Sequence, residues 1–504
     1  MADPTRPEGS ASGSVSVGTL GARSDGDGVV WRLPRMPALD GLRALSVLAV
    51  LFYHADLRWI TGGFIGVEVF FVISGYLITS LLLAEWRERG SIALGAFWLR
   101  RARRLLPAVY TLIGAVLVVT VVAYPDEVAG LRGDALASLL YVENWYLIFK
   151  NESYFEAMGR LSTLRHLWSL AVEEQYYIVW PVLLTALLKL ARRRLAVAVV
   201  LAGAAASAVL MAALHVPEVD PSRVYYGTDT RASGLLIGSA LAFIWAPGRL
   251  PDWTTRMPRW VWEVIAVAAL GTLLALSLTI NEFMPLLYRG GFVLIAIATA
   301  ALIGATALPS ARVVARGLSC EPLVWIGVRS YSIYLWHWPI VCVTRPRLDV
   351  TVDGLPLLAL RVAATLALAE LSYRFVETPI RHGAIGRAWV AWARSEGRER
   401  LLLGARWAAI GAATLAGVAV LSVQVATAQH PPEPDFAGKA NDESALVSGF
   451  ASVLGPTPTS AGAAAGDLEE ETIAPVGTAT ATPPADAGAP TARSAPTFPA
   501  RPTA

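Results

Sequence analysis

The chain has 504 residues, of which 55% are hydrophobic and only 16% charged, and its mean hydropathy is +0.51. A soluble domain of this length has too little interior to hide so much apolar surface, so an all-α integral membrane protein is expected. The net charge of +3 argues against nucleic acid as a partner, and two cysteines, Cys320 and Cys342, make neither a disulfide framework nor a metal-ligand spacing.

Residues 1–35 are rich in Gly, Ser, Asp and Arg, lack the apolar core of a signal peptide, and read as a disordered cytoplasmic tail. Runs long enough to cross a hydrocarbon core of ~30 Å follow near 40–57, 63–84, 105–124, 167–190, 195–214, 230–246, 261–280, 288–307, 331–347, 355–376 and 404–426. A weaker run, ALASLLYVENWYLIF (135–149), carries Glu143 and Asn144 at its centre. The basic residues decide whether it crosses. With the N-terminus inside and this run left out, Arg87, Arg89, Arg100, Arg101, Arg103 and Arg104 face the cytoplasm. So do Lys189 with Arg192, Arg193 and Arg194, then Arg249, Arg256 and Arg259, then Arg312 and Arg316, and finally Arg381, Arg387, Arg394, Arg398 and Arg400. Arg345 and Arg347 are the main exceptions. Counting 135–149 as a span would move the later clusters outside, so it is expected to lie at, or dip into, the outer face. Residues 383–403 then form a basic cytoplasmic loop, 404–426 one further helix, and 427–504 a disordered Ala/Pro/Thr-rich extracytoplasmic tail.

Ionisable groups inside a bilayer are costly and usually pair or line a cavity. In LDGLRALSVLAVLFYH (39–54), the 11 steps from Arg43 to His54 turn through about 1100° and climb ~16 Å, so both side chains share one helix face. Arg43 allows two readings, a topology anchor paired with Asp40 or a functional group at the cytoplasmic entrance. Glu68, in GGFIGVEVFFVISGYLITSLLL, is either a pore-lining acid or a residue at headgroup level. In SLAVEEQYYIVWP (169–181), Ser169, Glu173, Tyr177 and Trp180 share one face, with Glu174 ~100° away. Two adjacent carboxylates flanked by Gln175 and His166 suit a reaction cavity, with a purely structural network as the alternative. TDTRASGLLIGSALA (228–242) places Arg231 at a span start. YSIYLWHWPI (331–340) places His337 between two tryptophans, as an interface histidine or a cavity group.

LDGLRALSVLAVLFYH, GGFIGVEVFFVISGYLI, FWLRRARRLLP, HLWSLAVEEQYYIVWP, TRASGLLIGSALA, YSIYLWHWP and LSYRFVETPIR occur in this order and at this spacing. The chain thereby resembles the acyltransferase-3 family of bacterial membrane O-acetylases, including the O-antigen acetylases, over about residues 36–382. The resemblance implies a domain of ten membrane helices in the bacterial inner membrane. It also implies transfer of an acyl group, commonly acetyl, from cytoplasmic acyl-CoA to a hydroxyl of an extracytoplasmic carbohydrate. The family's essential arginine and histidine map onto Arg43 and His54, and its arginine-rich motif onto Arg100, Arg101, Arg103 and Arg104.

The residues suit that chemistry. A cytoplasmic arginine cluster fits the phosphates of the donor, and a neutral histidine can take the acceptor's proton near neutral pH. His54 is therefore expected to be the base or a transient acyl carrier, with Arg43 holding the donor. Glu173 or Glu174 is expected to orient His54 or to bind sugar hydroxyls. Glu68, Ser169, Tyr177, Arg231 and His337 are expected to bind substrate or line the cavity. No tightly bound cofactor and no metal are expected, only acyl-CoA as co-substrate, alongside membrane lipid and the glycan acceptor. Many family members continue into an external hydrolase-like domain, and no Gly-Asp-Ser motif follows residue 382 here. Either the membrane domain acts alone or it passes the acyl group to a separate extracytoplasmic protein. The competing class is a polytopic transporter or flippase, against which stands the lack of two repeated halves.

Overall fold

Each of the eleven apolar runs is helical over most of its length in the computed structural model of the protein. The structure describes residues 35–155, 161–245, 252–308 and 311–429, together with residues 21–25 and 28–32. These belong to one unit, Met1–Pro431; the second unit, Pro432–Ala504, and with it most of the expected tail, lies outside the described residues. Strands β1 (Gly21–Asp25) and β2 (Gly28–Arg32) pair antiparallel, Gly21 opposite Arg32. The segment 1–35, read as disordered from its composition, thus contains one local element. Its Asp-Gly-Asp-Gly centre is a hairpin signal that composition alone passes over.

The helices follow as α1 (Pro37–His54), α2 (Gly66–Arg89), α3 (Leu94–Ala123), α4 (Val128–Leu139), α5 (Glu143–Phe149), α6 (Leu167–Leu190) and α7 (Arg193–Leu214). Next come α8 (Ser222–Tyr226), α9 (Thr228–Ile244), α10 (Asp252–Arg256), α11 (Arg259–Thr279), α12 (Phe292–Thr306) and α13 (Arg312–Leu318). The series ends with α14 (Glu321–Val328), α15 (Ser330–Cys342), α16 (Gly354–Ser372), α17 (Thr378–Arg381), α18 (Ala384–Arg394) and α19 (Gly397–Thr427). The weak run at 135–149 falls on α4 and α5, of 12 and 7 residues, both too short to cross a bilayer. Asn144 there donates from Nδ2 to the Tyr226 carbonyl (3.1 Å) and to Thr228 Oγ1 (2.9 Å), which satisfies a polar group among apolar neighbours.

Among the described residues, seven helical stretches are long and apolar enough to cross a membrane: Gly63–Arg89, Leu94–Ala123, Arg193–Leu214, Arg259–Thr279, Leu287–Thr306, Gly354–Arg381 and Gly397–Thr427. The other four expected spans correspond to α1, α6, α9 and α15. Two of these are short, α9 with 17 residues and α15 with 13. All four carry polar residues singled out in the sequence: Ser169, Arg231 and His337 are buried, and Arg43, His54, Glu173 and Glu174 are half-buried. The protein is an all-α, multi-pass membrane protein whose most polar helices lie inside.

Close packing of α2 on α9 sets this interior. On α9, Gly234 and Gly238 are four apart on the face that carries Arg231, the small-residue spacing that lets two helix backbones approach. A Cβ at Gly238 would lie 2.1 Å from the Val72 carbonyl oxygen, and one at Gly75 of α2 would lie 2.0 Å from that of Leu235. A Cβ at Gly234 would lie 2.0 Å from Oε1 of Glu68, so this glycine makes room for the carboxylate. Glu68 is fully buried and lies 2.9 Å from Arg231 Nη2, with the N–H groups aimed off the carboxylate, so the contact is Coulombic more than directional. The guanidinium stacks over Phe292 at 3.9 Å from the ring centre, with Tyr225 at 5.2 Å and Phe71 at 5.4 Å. A desolvated cation over an aromatic face contributes ~2 kcal/mol, which offsets part of the burial cost.

Because a lone buried charge is far worse than a pair, Arg231→Met is expected to destabilise the protein by ~3–5 kcal/mol. The double variant Glu68→Met/Arg231→Met should recover most of that loss. Thermal melts of the purified proteins in detergent check this; additive losses from the two single changes would show that the pair is not coupled.

Candidate active site

Arginines 100, 101, 103 and 104 sit in the second and third turns of α3, where residues three apart share a face. Arg101 and Arg104 therefore point one way and Arg100 and Arg103 another. The first pair lines a cavity of about 100 Å³ between α1, α2, α3, α6 and α15. Arg43, Ser74, Ser169, Glu173, Tyr177, Ser330, Tyr331 and Tyr334 complete its polar lining. That volume admits several waters or a small acyl group but not a nucleotide. Arg101 is held over the rings of Tyr177 (5.4 Å) and Phe97 (5.7 Å), and Arg43 stays 3.7 Å from Asp40 Oδ1. Arg43 thus both pairs with Asp40 and lines the cavity. Glu173 accepts a hydrogen bond from Ser74 Oγ (2.9 Å), and Tyr177 donates to Ser74 Oγ at 3.1 Å. The i, i+4, i+8 stripe of α6 is thereby turned into one wall. Arg100 instead reaches Glu85 of α2 (3.7 Å), and Arg103 faces a separate groove beside α18.

Beyond Tyr334 lies a second constellation. His54, the last residue of α1, has Nδ1 3.1 Å from His337 Nε2 and Nε2 2.9 Å from the Tyr154 hydroxyl. His337 Nδ1 lies 2.6 Å from the Tyr334 carbonyl oxygen one helical turn earlier. A carbonyl only accepts, so His337 Nδ1 carries the proton, and with a neutral ring its Nε2 is an acceptor. His54 Nδ1 must then donate, which leaves Nε2 of a neutral His54 as the acceptor of the Tyr154 O–H. The chain has one direction: Tyr154 to His54 to His337 to the backbone of Tyr334. Trp338 meets His54 edge-on at 4.7 Å and fixes itself through Nε1 to the Ser162 carbonyl (2.8 Å). His166, buried alongside, bonds through Nε2 to the Leu335 carbonyl (3.0 Å).

Tyr334 joins the two parts. Its ring borders the arginine cavity, its hydroxyl contacts Ser169 Oγ (2.5 Å) and donates to the His166 carbonyl (3.0 Å), and its own carbonyl anchors His337. Of the residues expected from sequence, Arg43, Arg101, Arg104, Glu173, Ser169 and Tyr177 meet at the cavity, and His54 and His337 meet each other. Glu68 and Arg231 stand apart, locked in the α2–α9 pair, and do not line the cavity. Glu174 is outside its lining but within Coulombic reach of Arg101 and Arg104. The expected orientation of His54 by Glu173 or Glu174 is not what the structure shows; His337 holds the ring, because Glu173 is turned toward Ser74. Sequence reasoning missed Tyr154 and Tyr334. Tyr334 had a readable signal, since it stands one helical turn before His337 in YSIYLWHWPI. Tyr154 lies in the non-helical stretch NESYF, which has no periodicity to read.

Comparison with known proteins identifies the family. The model of a family described as "Acyltransferase domain" matches residues 36–374. The peptidoglycan O-acetyltransferase OatA of Listeria monocytogenes is 47% identical over 347 residues, 69% of this chain and 56% of the relative. The putative peptidoglycan O-acetyltransferase YrhL of Bacillus subtilis is 44% identical over 350 residues, 69% of this chain and 55% of the relative. The putative O-acetyltransferase SAS0844 of Staphylococcus aureus is 42% identical over 354 residues, covering 69% and 58%. The chain therefore spans a little over half the length of these curated relatives. No solved structure matches it significantly. With the family model covering more than half of the chain, over the same residues that build the cavity and the histidine pair, the protein belongs to the acyltransferase-3 family.

Proposed function

We propose that the protein is an integral-membrane O-acyltransferase that moves an acyl group, acetyl in the first instance, from cytoplasmic acyl-CoA to a hydroxyl of an extracytoplasmic envelope glycan. In this reading ten helices of the domain and the further helix at 404–426 cross the bacterial cytoplasmic membrane, with the N-terminus inside. The observation that carries it is the directed hydrogen-bond chain that leaves Nε2 of His54 as a fixed acceptor.

The geometry supports the following steps. Arg101 and Arg104 attract the anionic end of the donor, whose nucleotide stays outside the small cavity, and Arg43 sits further along the path of the acyl arm. An acceptor hydroxyl takes the place of the Tyr154 hydroxyl at His54 Nε2. As its oxygen attacks the thioester carbonyl, the proton passes to Nε2. The C–S bond then breaks, and the departing thiolate receives the proton from the imidazolium. His337 is a positioning residue: by accepting from Nδ1 it keeps the His54 lone pair on Nε2. The names of the relatives point to a peptidoglycan-type glycan as the acceptor.

A positioned base contributes ~10²–10⁴-fold to rate, so His54→Ala is expected to lower glycan labelling from radiolabelled acetyl-CoA by that factor in membranes with matched expression. His337→Ala should lower kcat while leaving KM for acetyl-CoA unchanged; a change in KM alone would remove its positioning role. Sugar flux without acylation would move the protein to the transporter class.

The arginines should separate by face. Losing one charge-assisted hydrogen bond costs ~1.5 kcal/mol, so Arg101→Gln or Arg104→Gln is expected to raise KM for acetyl-CoA about tenfold. Arg100→Gln, whose partner is Glu85, should leave that KM unchanged. Equal effects from all three in initial-rate kinetics would mean that the cluster acts only through its total charge.

A further inference from the structure

At the far end of α3 from the arginine cavity lies a second groove, of about 310 Å³. Thr120 borders the groove and Arg104 borders the cavity, 16 residues and ~24 Å apart along the helix. The groove's charged lining is Asp126, Glu127, Asp134, Lys150 and Glu152, four carboxylates against one ammonium. Lys150 is committed to Glu152 (2.9 Å), and Glu152 is also gripped by Arg165 (2.5 Å). Asp134 is 1% exposed, and its Oδ1 has no hydrogen-bond partner, the Lys150 ammonium standing 3.9 Å away, beyond hydrogen-bond reach. Thr163, 8% exposed, likewise presents an unpartnered Oγ1. Buried polar atoms are rarely left unsatisfied, and a carboxylate oxygen can be satisfied only by a donor. The ligand that fits is rich in O–H or N–H groups and carries no phosphate, because four carboxylates would repel one.

The groove also adjoins the base. Glu152 forms part of its wall, and Tyr154, two residues on, bonds to His54 Nε2 (2.9 Å); two residues of chain span at most ~7 Å. Ser162, another wall residue, accepts the hydrogen bond of Trp338, the ring set edge-on against His54. Building on the acyltransferase reading, we propose that this groove binds the carbohydrate acceptor. Asp134 Oδ1 and Thr163 Oγ1 take hydroxyl or amide hydrogens of one sugar and so direct a neighbouring hydroxyl toward His54. The donor and acceptor sites then lie at opposite ends of α3 and carry opposite charge, so neither substrate suits the other's site.

The test uses the full chain in lipid nanodiscs and chitotetraose, a neutral N-acetylglucosamine tetramer, as the probe. Isothermal titration is expected to show saturable binding by the wild type and by His54→Ala. Asp134→Asn should weaken it at least tenfold, with acetyl-CoA binding unchanged. Gly130→Phe gives a steric control: a Cβ at Gly130 meets nothing within 4 Å, so the ring can occupy the groove without disturbing the helix packing, and it should weaken binding as strongly. No saturable binding by the wild type, or full affinity in both variants, overturns the proposal. Binding that is lost in both variants, without acyl transfer to any saccharide by the wild type, upholds the groove and retires the enzyme reading. Acyl transfer with the acceptor KM unchanged in both variants retires the groove and leaves the enzyme.

Discussion

The Tyr334 carbonyl oxygen can accept a hydrogen bond but never donate one, and from that restriction the chemistry of the histidine pair follows. It fixes the proton of His337 on Nδ1, which leaves Nε2 open, which in turn obliges His54 to donate from Nδ1. Had His337 faced a hydroxyl, either tautomer would have served, and the lone pair of His54 would have had no fixed direction. The carbonyl comes from the same helix, α15, one turn before His337. The helix therefore orients its own histidine without help from a side chain that could change rotamer. Ring contacts from Trp338 and the pairing of His166 with the next backbone carbonyl close off other orientations. The base is held through His337, whose own orientation is set by the backbone, and on its other side by the Tyr154 hydroxyl.

The membrane shapes the rest. Polar groups cannot face hydrocarbon cheaply, so helices that carry them are driven inward. The α2–α9 contact shows how far this goes. Glycines bring the two backbones together, Gly234 leaves the volume for the Glu68 carboxylate, and the aromatic face of Phe292 replaces the water that Arg231 loses. This pair lies outside the lining of the arginine cavity, although it contains two of the most conspicuous charges in the apolar runs. At the outer edge α19 represents the other limit, a 31-residue helix without a buried side chain.

These contrasts explain what can be read from the chain. Helical periodicity is a property of one segment, so the shared face of Arg43 and His54 and the stripe Ser169–Glu173–Tyr177 are both legible in the amino-acid order alone. The division of the arginine cluster into 101/104 and 100/103 is legible on the same grounds, by the ~100° turn per residue. Partnership between segments is not. Glu68 and Arg231 lie on helices 163 residues apart in the chain, and only their meeting shows that they neutralise each other. His54 and His337 are separated by 283 residues, and the sequence offers Glu173 and Glu174 as nearer-looking helpers. Tyr154 is illegible for a different reason: it reaches His54 from an irregular segment, where no period assigns a side chain to a face.

A neutral imidazole in the place where many bases have a carboxylate has a further consequence for the proposed reaction. Beside His54 the described partners are His337 and Tyr154, both uncharged, so none supplies a negative charge to the ring when it takes the acceptor's proton. The compensating charge then has to come from the reaction itself, from the thiolate generated when the C–S bond breaks. Proton uptake and thioester cleavage become coupled, because the imidazolium and the thiolate neutralise each other by a single transfer from Nε2. A carboxylate beside His54 would stabilise the imidazolium on its own and loosen that coupling, and its burial in this interior would need further donors to satisfy it. The backbone-anchored histidine avoids both. It orients the base without storing charge, so that in the absence of a bound acyl donor the site has little tendency to activate a hydroxyl.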